Sequence, residues 1–182
     1  MNLDAVIRKV PDFPKPGIVF YDITSLFINP EAIDFISKRM LEAFEKTKID
    51  AVIAIESRGF ILGGIFAKEK KLPLILARKQ GKLPCETIGE SYDLEYGQAT
   101  LEIHKADISS GKKYVIIDDL IATGGTVRAV ATMIEKSGAE VAGVFSIISL
   151  PFLRYAEKIG KYKTIVLHEY HGEASSPQAN AK

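Results

Sequence analysis

The sequence has little cysteine, little net charge and no long apolar run, and each shortage excludes a class of protein. Cys85 is the one cysteine among 182 residues, so no intramolecular disulfide can form and a reducing compartment is expected. The formal net charge of +1 lacks the basic excess typical of a nucleic-acid-binding domain. No apolar stretch is long enough to span a membrane, and the N-terminal segment is too charged for a signal peptide. We therefore expect a cytoplasmic protein without nucleic-acid or membrane partners.

Several common catalytic and nucleotide-binding motifs are also absent. The sequence contains no G-x-x-x-x-G-K-[ST], which excludes a P-loop NTPase, and no G-x-G-x-x-G of the usual dinucleotide-binding fold. It has no G-x-S-x-G nucleophile elbow. His104, His168 and His171 lack zinc-ligand spacing with Cys85. We interpret His104 as a strand residue without a ligand and the other two histidines as surface residues.

What the sequence does contain is an alternation of strand and helix patterns. Strands are predicted at residues 51–55, 73–77, 114–118, 141–150 and 164–167, and helices at 60–70, 127–136 and 152–159. Another helix is predicted to start at Asn29-Pro30, with a buried face formed by Ile33, Ile36, Met40 and Phe44. Alternation of this kind predicts an α/β fold with a parallel sheet covered on both faces.

Four other segments lie outside this alternation. The spacing of Leu3, Val6, Ile7 and Val10 predicts an N-terminal helix, and residues 18–28 are interpreted as an irregular apolar insert. Residues 78–91 are predicted to form a polar loop that leads into two short strands at 92–95 and 100–104, joined at 96–98. A long inserted loop with a hairpin is typical of an active-site lid, although a plain surface excursion is the alternative. The small polar tail from His171 onward is expected to be disordered.

The most informative run is YVIIDDLIATGGT, at residues 114–126. A buried strand is followed by two carboxylates, Asp118 and Asp119, then by a glycine loop at the start of a helix. The carboxylates can accept hydrogen bonds from neighbouring sugar hydroxyls, and the loop can direct backbone N–H groups at a phosphate. This order of groups matches ribose 5-phosphate, and the alternative is a strand, turn and helix without a ligand.

The same run resembles the phosphoribosyl-pyrophosphate signature of the type I phosphoribosyltransferases. The segments DFPKPGIVFYDIT (12–24), ESRGF (56–60), ARKQGKLP (77–84) and SYDLEYG (91–97) resemble those of the family members that use adenine, in the same order. The resemblance implies one domain over residues 1–170, with an N-terminal hood at about 11–30 and a flexible lid at about 78–104. It also implies a homodimer that converts adenine and phosphoribosyl pyrophosphate to AMP and pyrophosphate in purine salvage, with Mg²⁺ as cofactor.

The resemblance assigns the sugar-phosphate end of the substrate to one part of the chain. Asp118 and Asp119 would hold the ribose hydroxyls, directly or through water on magnesium. The 5-phosphate would bind to the loop formed by Ala122, Thr123, Gly124, Gly125 and Thr126. Magnesium is expected near Asp118, held mainly by phosphoribosyl pyrophosphate and water rather than directly by the protein.

The other reactants are assigned to separate segments. Pyrophosphate would be bound by Glu56, Ser57, Arg58, Arg78, Lys79 and Lys82, and a cis peptide is expected in the turn at residues 56–58. Adenine would stack between Phe20 and Leu120 and meet the backbone of Val19 and Tyr21. Glu95, beside Tyr96, resembles the carboxylate that takes the proton released from the purine.

Two points stay open at the level of the sequence. Tyr21 stands where the family is associated with a basic residue, so an ionic role of that side chain is lost here. The signature itself does not identify the base. The alternatives are a transferase for xanthine, hypoxanthine or orotate, and a non-catalytic regulator that binds phosphoribosyl pyrophosphate.

Overall fold

The computed structural model describes residues 1–93 and 97–172. Its strands are β1 (Arg8–Pro11), β2 (Val19–Asp22), β3 (Ala51–Ile55), β4 (Leu74–Lys79), β5 (Thr87–Asp93), β6 (Gln98–His104), β7 (Lys113–Ile117), β8 (Leu120–Ile121), β9 (Glu140–Ser149) and β10 (Thr164–Glu169). Its α-helices are α1 (Thr24–Phe27), α2 (Pro30–Ala43), α3 (Gly59–Lys70), α4 (Gly125–Lys136) and α5 (Ala156–Ile159). Short 3₁₀ helices cover Leu3–Ala5, Lys105–Asp107 and Pro151–Leu153.

The central sheet has the strand order β10-β9-β7-β3-β4-β6-β5, and β8 adds a short pairing with β9. The strands β10, β9, β7, β3 and β4 are parallel to their neighbours in this order. Strand β6 is antiparallel to both β4 and β5. The mainly parallel sheet confirms the predicted fold class. Within the described residues, no helix has the length and apolar character that a membrane crossing requires.

Helices cover both faces of this sheet. On one face, α2 and α3 pack against side chains that include Val52, Val115 and Phe145. On the other face, α4 packs against a cluster that includes Ile53 and Ile116. Neighbouring residues of one strand therefore enter different cores, which explains why β3 and β7 are apolar at nearly every position.

Strand register determines which loops meet at the carboxyl edge of the sheet. Ala54 of β3 pairs with Ile117 of β7, and Ile55 pairs with Ala77 of β4. The residues that follow these three strands must therefore lie side by side. This edge is where ligands bind in open parallel sheets.

Helix α2 confirms the predicted helix start. The Asn29 side chain accepts a hydrogen bond from the Ala32 N–H at 3.1 Å, and Pro30 occupies the first turn. Ile36, Met40 and Phe44 are buried as predicted. Ala32 completes the buried face, whereas Ile33 is only half-buried.

The N-terminal predictions were wrong in two places. Leu3 and Ile7 are buried, but one 3₁₀ turn replaces the expected helix and the chain then enters β1. The segment at 18–28 is not irregular, because β2 pairs with β1 along its whole length and α1 follows. We call the two-stranded sheet of β1 and β2 the N-terminal ribbon.

The inserted segment is also more regular than predicted. Strand β4 continues through Lys79, and β5 begins at Thr87 rather than at Tyr92. Cross-strand pairing explains this, because β5 pairs with β6 from Thr87–His104 to Asp93–Gln98. The predicted join at residues 96–98 lies partly outside the described residues, and so does most of the tail predicted to be disordered.

The predicted helix at 152–159 is broken in the structure. A 3₁₀ turn at Pro151–Leu153 precedes α5, and Arg154 between them has φ of +58°. A left-handed residue cannot continue a right-handed helix, so the helical pattern is split into two short pieces.

Candidate active site

Two adjacent carboxylates lie at the carboxyl end of β7. Asp118 and Asp119 are each only 5% exposed. The Asp119 N–H donates to Asp118 Oδ1 at 2.9 Å, and the Thr126 hydroxyl donates to Asp118 Oδ2 at 3.5 Å. Helix α3 begins against them, because a Cβ on Gly59 would lie 2.9 Å from the Ile117 carbonyl oxygen. Glycine at this position therefore allows the helix to approach the carboxylate pair.

The environment of Asp118 opposes its ionisation. Burial and the neighbouring Asp119 charge raise the pKa of Asp118 well above its usual range. Asp119 is paired with Arg58, whose Nε lies 2.6 Å from Asp119 Oδ2. A buried carboxyl group of this kind is stabilised by ligand groups that satisfy it, such as hydroxyls or a hydrated cation.

The loop after the carboxylates leads directly into α4. Gly124 precedes the helix with φ of +74°, a conformation that favours glycine. Tyr155 supports the loop from behind, because a Cβ on Gly124 would lie 3.3 Å from both the Cβ and the carbonyl oxygen of Tyr155. Gly124 is the N-cap residue of this 12-residue helix and has no side chain with which to cap the first turn. Its N–H groups are thus available to an anion such as a phosphate.

These elements enclose a cavity of about 350 Å³ at the edge of the sheet. Its lining residues are Ile55, Glu56, Arg58, Tyr92, Asp93, Asp118, Asp119, Leu120, Ala122, Thr123, Gly124, Gly125, Thr126 and Leu153. All seven residues predicted to hold the ribose and the 5-phosphate therefore lie in one cavity, together with Glu56, Arg58 and Leu120.

Tyr92 and Asp93 of β5 were missed by the sequence analysis as site residues. A Cβ on Gly125 would lie 3.2 Å from the Tyr92 ring and 3.4 Å from the Asp93 carbonyl oxygen, so β5 rests on the first residue of α4. Lys136 of α4 also pairs with Glu90 of β5 at 2.6 Å. The segment SYDLEYG, which contains Tyr92 and Asp93, was the available signal.

Glu56 contacts groups at the end of β4 and in the segment that follows it. Its carboxylate accepts from Arg78 Nε at 3.2 Å and from the Lys79 N–H at 3.1 Å, and Lys82 Nζ lies 3.8 Å away. Burial would raise the pKa of Glu56, but the Lys79 and Arg78 hydrogen bonds outweigh it and lower the pKa. Glu56 is thus an ionised carboxylate that holds cations.

The turn between β3 and α3 connects these groups to Arg58. Its Glu56–Ser57 peptide is cis, which confirms the prediction for this turn. Ser57 is exposed, and the Arg58 side chain is 42% exposed beside the cavity. The carboxyl ends of β3, β4 and β7 therefore bring an arginine, a second cation cluster and a carboxylate pair together.

The residues predicted to bind adenine are divided between two places. Leu120 lines the cavity, whereas Val19, Phe20 and Tyr21 of the N-terminal ribbon do not. Phe20 contacts Phe13 edge to face, with ring centroids 5.2 Å apart. Tyr21 points to the opposite face, where it is buried against Tyr170.

Electrostatics indicates that the end of β2 lies close to the cavity. The pKa of Asp22 is lowered chiefly by the hydrogen bond from the Thr24 hydroxyl, and the Arg58 charge contributes to the same shift. Val19 and Leu120 also pack against the same core cluster. The N-terminal ribbon is thus a neighbour of the cavity, although it does not form its wall.

Two further predictions concern the catalytic base and the metal. Glu95 and Tyr96 lie outside the described residues, so the role of Glu95 rests on the sequence alone. Among the residues that the structure covers, no group of three or more His, Cys, Asp and Glu side chains is arranged to hold a metal. The buried pair Asp118 and Asp119 fits Mg²⁺, which often uses one or two carboxylates together with substrate phosphates.

Known proteins are similar to this chain in both sequence and fold. The profile described as "Phosphoribosyl transferase domain" matches residues 22–172. The adenine phosphoribosyltransferase of Treponema denticola is 51% identical over 171 residues, which cover 94% of this chain and 90% of that protein.

Solved structures of adenine phosphoribosyltransferases are also similar to this chain. The adenine phosphoribosyltransferase of Thermoanaerobacter pseudethanolicus superposes with a TM-score of 0.88 and 40% identity, covering 92% of this chain and 97% of that chain. The Saccharomyces cerevisiae enzyme, solved with adenine and an imino-altritol bisphosphate, has a TM-score of 0.84 and 34% identity, covering 91% of this chain and 96% of that chain. This chain belongs to the phosphoribosyl transferase family and, within it, to the adenine phosphoribosyltransferases.

Proposed function

We propose that this chain transfers ribose 5-phosphate from phosphoribosyl pyrophosphate to adenine, which yields AMP and pyrophosphate for purine salvage. The observation that carries the proposal is the cavity at the end of β7. It combines a buried carboxylate pair, an uncapped helix N-terminus and nearby cations, in the order that the substrate requires. The related adenine phosphoribosyltransferases support adenine as the base.

The sugar-phosphate end of the substrate fits the contiguous run after β7. The 5-phosphate accepts hydrogen bonds from the backbone N–H groups of residues 122–126. The hydroxyl groups of Thr123 and Thr126 are further donors. Asp118 and Asp119 accept from the ribose hydroxyls, directly or through water on Mg²⁺. This arrangement satisfies the buried Asp118 carboxyl group, which has a raised pKa in the ligand-free protein.

Pyrophosphate fits the cations at the ends of β3 and β4. Arg58 binds one end of the diphosphate, and Arg78, Lys79 and Lys82 bind the other. Glu56 does not bind the anion itself, since like charges repel, but it holds Arg78 and Lys82 in place. Mg²⁺, when bound, neutralises part of the diphosphate charge.

The reaction breaks the bond between C1 and the pyrophosphate oxygen and forms a bond from C1 to the purine nitrogen. Positive charge develops on the sugar between the two steps, so the protein must align the reactants and stabilise the leaving group. Glu95 takes the proton that the purine releases as N9 becomes the nucleophile. A Glu95→Gln variant is expected to lose most of its turnover, and unchanged turnover would exclude Glu95 as the base.

Adenine is selected by backbone groups and an apolar sandwich. Phe20 and Leu120 stack on the ring, and backbone groups of Val19 and Tyr21 meet its amino edge. A carbonyl oxygen accepts a hydrogen bond from a 6-amino group but repels a 6-oxo group, which disfavours hypoxanthine and guanine. The Tyr21 side chain is buried away from this edge and therefore does not read the base.

A base screen tests the proposal. The purified protein is mixed with phosphoribosyl pyrophosphate and Mg²⁺, and turnover is followed spectrophotometrically with adenine, hypoxanthine, guanine, xanthine or orotate. We expect turnover with adenine to exceed that with each other base. Turnover with a 6-oxopurine but not with adenine would overturn the base assignment, and binding without turnover of any base would favour the regulator. By family resemblance, we further propose a cytoplasmic homodimer.

A further inference from the structure

A cluster of side chains joins residues near the two ends of the described chain. We define the terminal clasp as Asp4, Lys9, Tyr21, His168 and Tyr170. Its centre is the stack of Tyr21 on Tyr170, with ring centroids 3.7 Å apart and planes inclined by 18°. Tyr21 is 7% exposed, so this contact is a packed one.

Polar contacts fix the Tyr170 side of the stack. The Tyr170 hydroxyl donates to Asp4 Oδ1 at 2.7 Å, and Lys9 Nζ lies 2.7 Å from the same oxygen. His168 Nε2 lies 3.7 Å from Asp4 Oδ1, and its ring meets Tyr170 edge to face. Burial and the hydrogen bond to Asp4 raise the pKa of Tyr170, so its phenol remains a hydrogen-bond donor.

The terminal clasp connects two parts of the structure that do not share a sheet. Among the described residues, strand β2 pairs with β1 alone, so this part of the chain shows no backbone ladder between the N-terminal ribbon and the central sheet. Tyr170 instead belongs to the central sheet, because its N–H donates to the Ser149 carbonyl at the end of β9. The stack is therefore a direct link between the ribbon and the edge of the sheet that carries the cavity.

The geometry of a strand makes this link relevant to the base. Successive side chains point to opposite faces, so the burial of Tyr21 determines the face on which Phe20 lies. It also fixes the height of the Val19 and Tyr21 backbone groups above the sheet. Loss of the stack would release these groups together, while the residues after β7 would keep their positions.

We infer that Tyr170 is a positioning residue for the base, acting through its stack on Tyr21 and its hydrogen bond to Asp4. The inference rests on the proposed function, because it takes the adenine site to include the backbone of β2. It adds a role for residues that the sequence analysis did not select. It also gives a role to Tyr21 in place of the ionic one that this chain lacks.

The test separates the Michaelis constants of the two substrates. Tyr170→Leu is expected to raise the KM for adenine about tenfold, since aromatic stacking and burial are lost, while the KM for phosphoribosyl pyrophosphate changes less than about twofold. Tyr170→Phe keeps the stack and loses only the hydrogen bond to Asp4, so about a threefold rise in the adenine KM is expected. Partial rescue by phenylalanine distinguishes positioning from a general loss of structure.

Tyr162→Phe is the matched control. The Tyr162 hydroxyl also donates to a carboxylate, Glu135, at 2.7 Å, but its ring packs in the core cluster on the other face of the sheet. This variant should leave both Michaelis constants unchanged. Thermal unfolding of each variant shows whether it is folded, and calorimetric titration with adenine and with ribose 5-phosphate gives the same comparison without turnover.

A double substitution tests the coupling. If Tyr170 acts through Tyr21, the pair Tyr21→Leu and Tyr170→Leu should raise the adenine KM no further than the larger single effect. Additive effects, or equal changes in both Michaelis constants, would overturn the inference while leaving adenine turnover by the wild type intact. Failure of the wild-type protein to use adenine would overturn the proposed function and this inference together.

Discussion

The cavity after β7 and the N-terminal ribbon are built in different ways. The cavity is formed largely by one contiguous run, residues 118–126, whose backbone conformation follows from a strand, a tight turn and a helix start. The ribbon is held by side chains from the two ends of the described chain, such as Tyr170 and Asp4, which are separated by 166 positions. Local geometry therefore fixes the proposed sugar-phosphate site, and long-range packing places the proposed base site.

The proposed pyrophosphate site lies between these two extremes. Arg58 and Glu56 follow β3 directly, so the sheet places them, but the cations that Glu56 holds come from the end of β4 and from the segment after it. Changes in the contiguous run should therefore cause the largest losses of activity. Changes to the ion pairs should weaken pyrophosphate binding, and changes to the ribbon should affect the base alone.

The largest effect is expected from Asp118→Asn. Turnover should fall about a thousandfold, because removal of one preorganised group from a reaction centre commonly costs that much. The ligand-free protein should nevertheless become more stable, by about 1 kcal/mol. The neutral amide avoids the cost of burying a carboxylate beside Asp119. Steady-state kinetics and thermal unfolding without ligand measure the two changes.

A stability loss in this variant would contradict the account. The raised pKa of Asp118 means that its ionised form is disfavoured in the folded state. The free energy of unfolding therefore falls as pH rises from the unfolded-state pKa of this carboxyl group to its folded-state pKa. Asp118→Asn should remove this part of the pH dependence. An unchanged profile would show that the carboxyl pair is not under electrostatic strain.

Gly124→Ala should have the next largest effect. Its φ of +74° disfavours alanine, and Tyr155 crowds the new Cβ at 3.3 Å. Both effects distort the phosphate loop, so the KM for phosphoribosyl pyrophosphate should rise about a hundredfold, with about 1 kcal/mol lost in stability. Initial-rate kinetics at saturating adenine measure the change.

Gly111→Ala is the matched control for this loop. Gly111 has the same φ of +74°, but its Cβ would enter open space. We expect a similar loss of stability of about 1 kcal/mol with no change in either Michaelis constant. Equal kinetic damage in both glycine variants would show that the phosphate loop has no special role.

Glu56→Gln should give an intermediate effect. The amide keeps an acceptor for the Lys79 N–H but loses the charge that holds Arg78 and Lys82. The KM for phosphoribosyl pyrophosphate should rise about tenfold, as expected for the loss of a partly buried charge-assisted contact, and the adenine KM should stay unchanged.

A charge-matched control is available on the surface. Glu86 pairs with Lys105 at 2.8 Å, and both side chains are exposed, so Glu86→Gln should leave the kinetics unaltered. A lower KM for phosphoribosyl pyrophosphate in Glu56→Gln would contradict the account. It would mean that the Glu56 carboxylate competes with the diphosphate instead of arranging its ligands.

The smallest effect concerns acid stability of the N-terminal ribbon. Hydrogen bonds from Lys9 and Tyr170 lower the pKa of Asp4 below its usual value. A lowered carboxyl pKa adds stability above the unfolded-state value, and this stability is lost as pH falls through the folded-state pKa. Urea unfolding at several acidic pH values should show a shallower loss for Asp4→Asn than for the wild type, and equal slopes would contradict this.

The sequence predicted the parts of the molecule that depend on local rules. The strand at Ala51–Ile55, the helix capped by Asn29 and the fold class followed from apolar periodicity and capping chemistry. The cavity residues could be named because they lie in one run with an order that suits one ligand. Resemblance then identified the base, which the residues of the run alone did not determine.

Other features depend on contacts that no local pattern contains. The N-terminal ribbon was missed because β1 and β2 have four residues each and their burial shows no alternation, with Tyr21 the buried residue of the two strands. Tyr92 belongs to the site because its ring lies against Gly125. Glu56 acts through cations that lie more than 20 residues further along the sequence. The Tyr21–Tyr170 stack joins positions that only the complete fold brings together.

A crystal structure with AMP, pyrophosphate and Mg²⁺ tests the central claim most directly. We predict that the AMP phosphate lies on the N–H groups of residues 122–126 and the ribose hydroxyls at Asp118 and Asp119. We further predict that the adenine ring lies between Phe20 and Leu120, with its amino group at the β2 backbone. A phosphate bound instead by Arg58 and Arg78, or a base directed away from β2, would contradict these predictions.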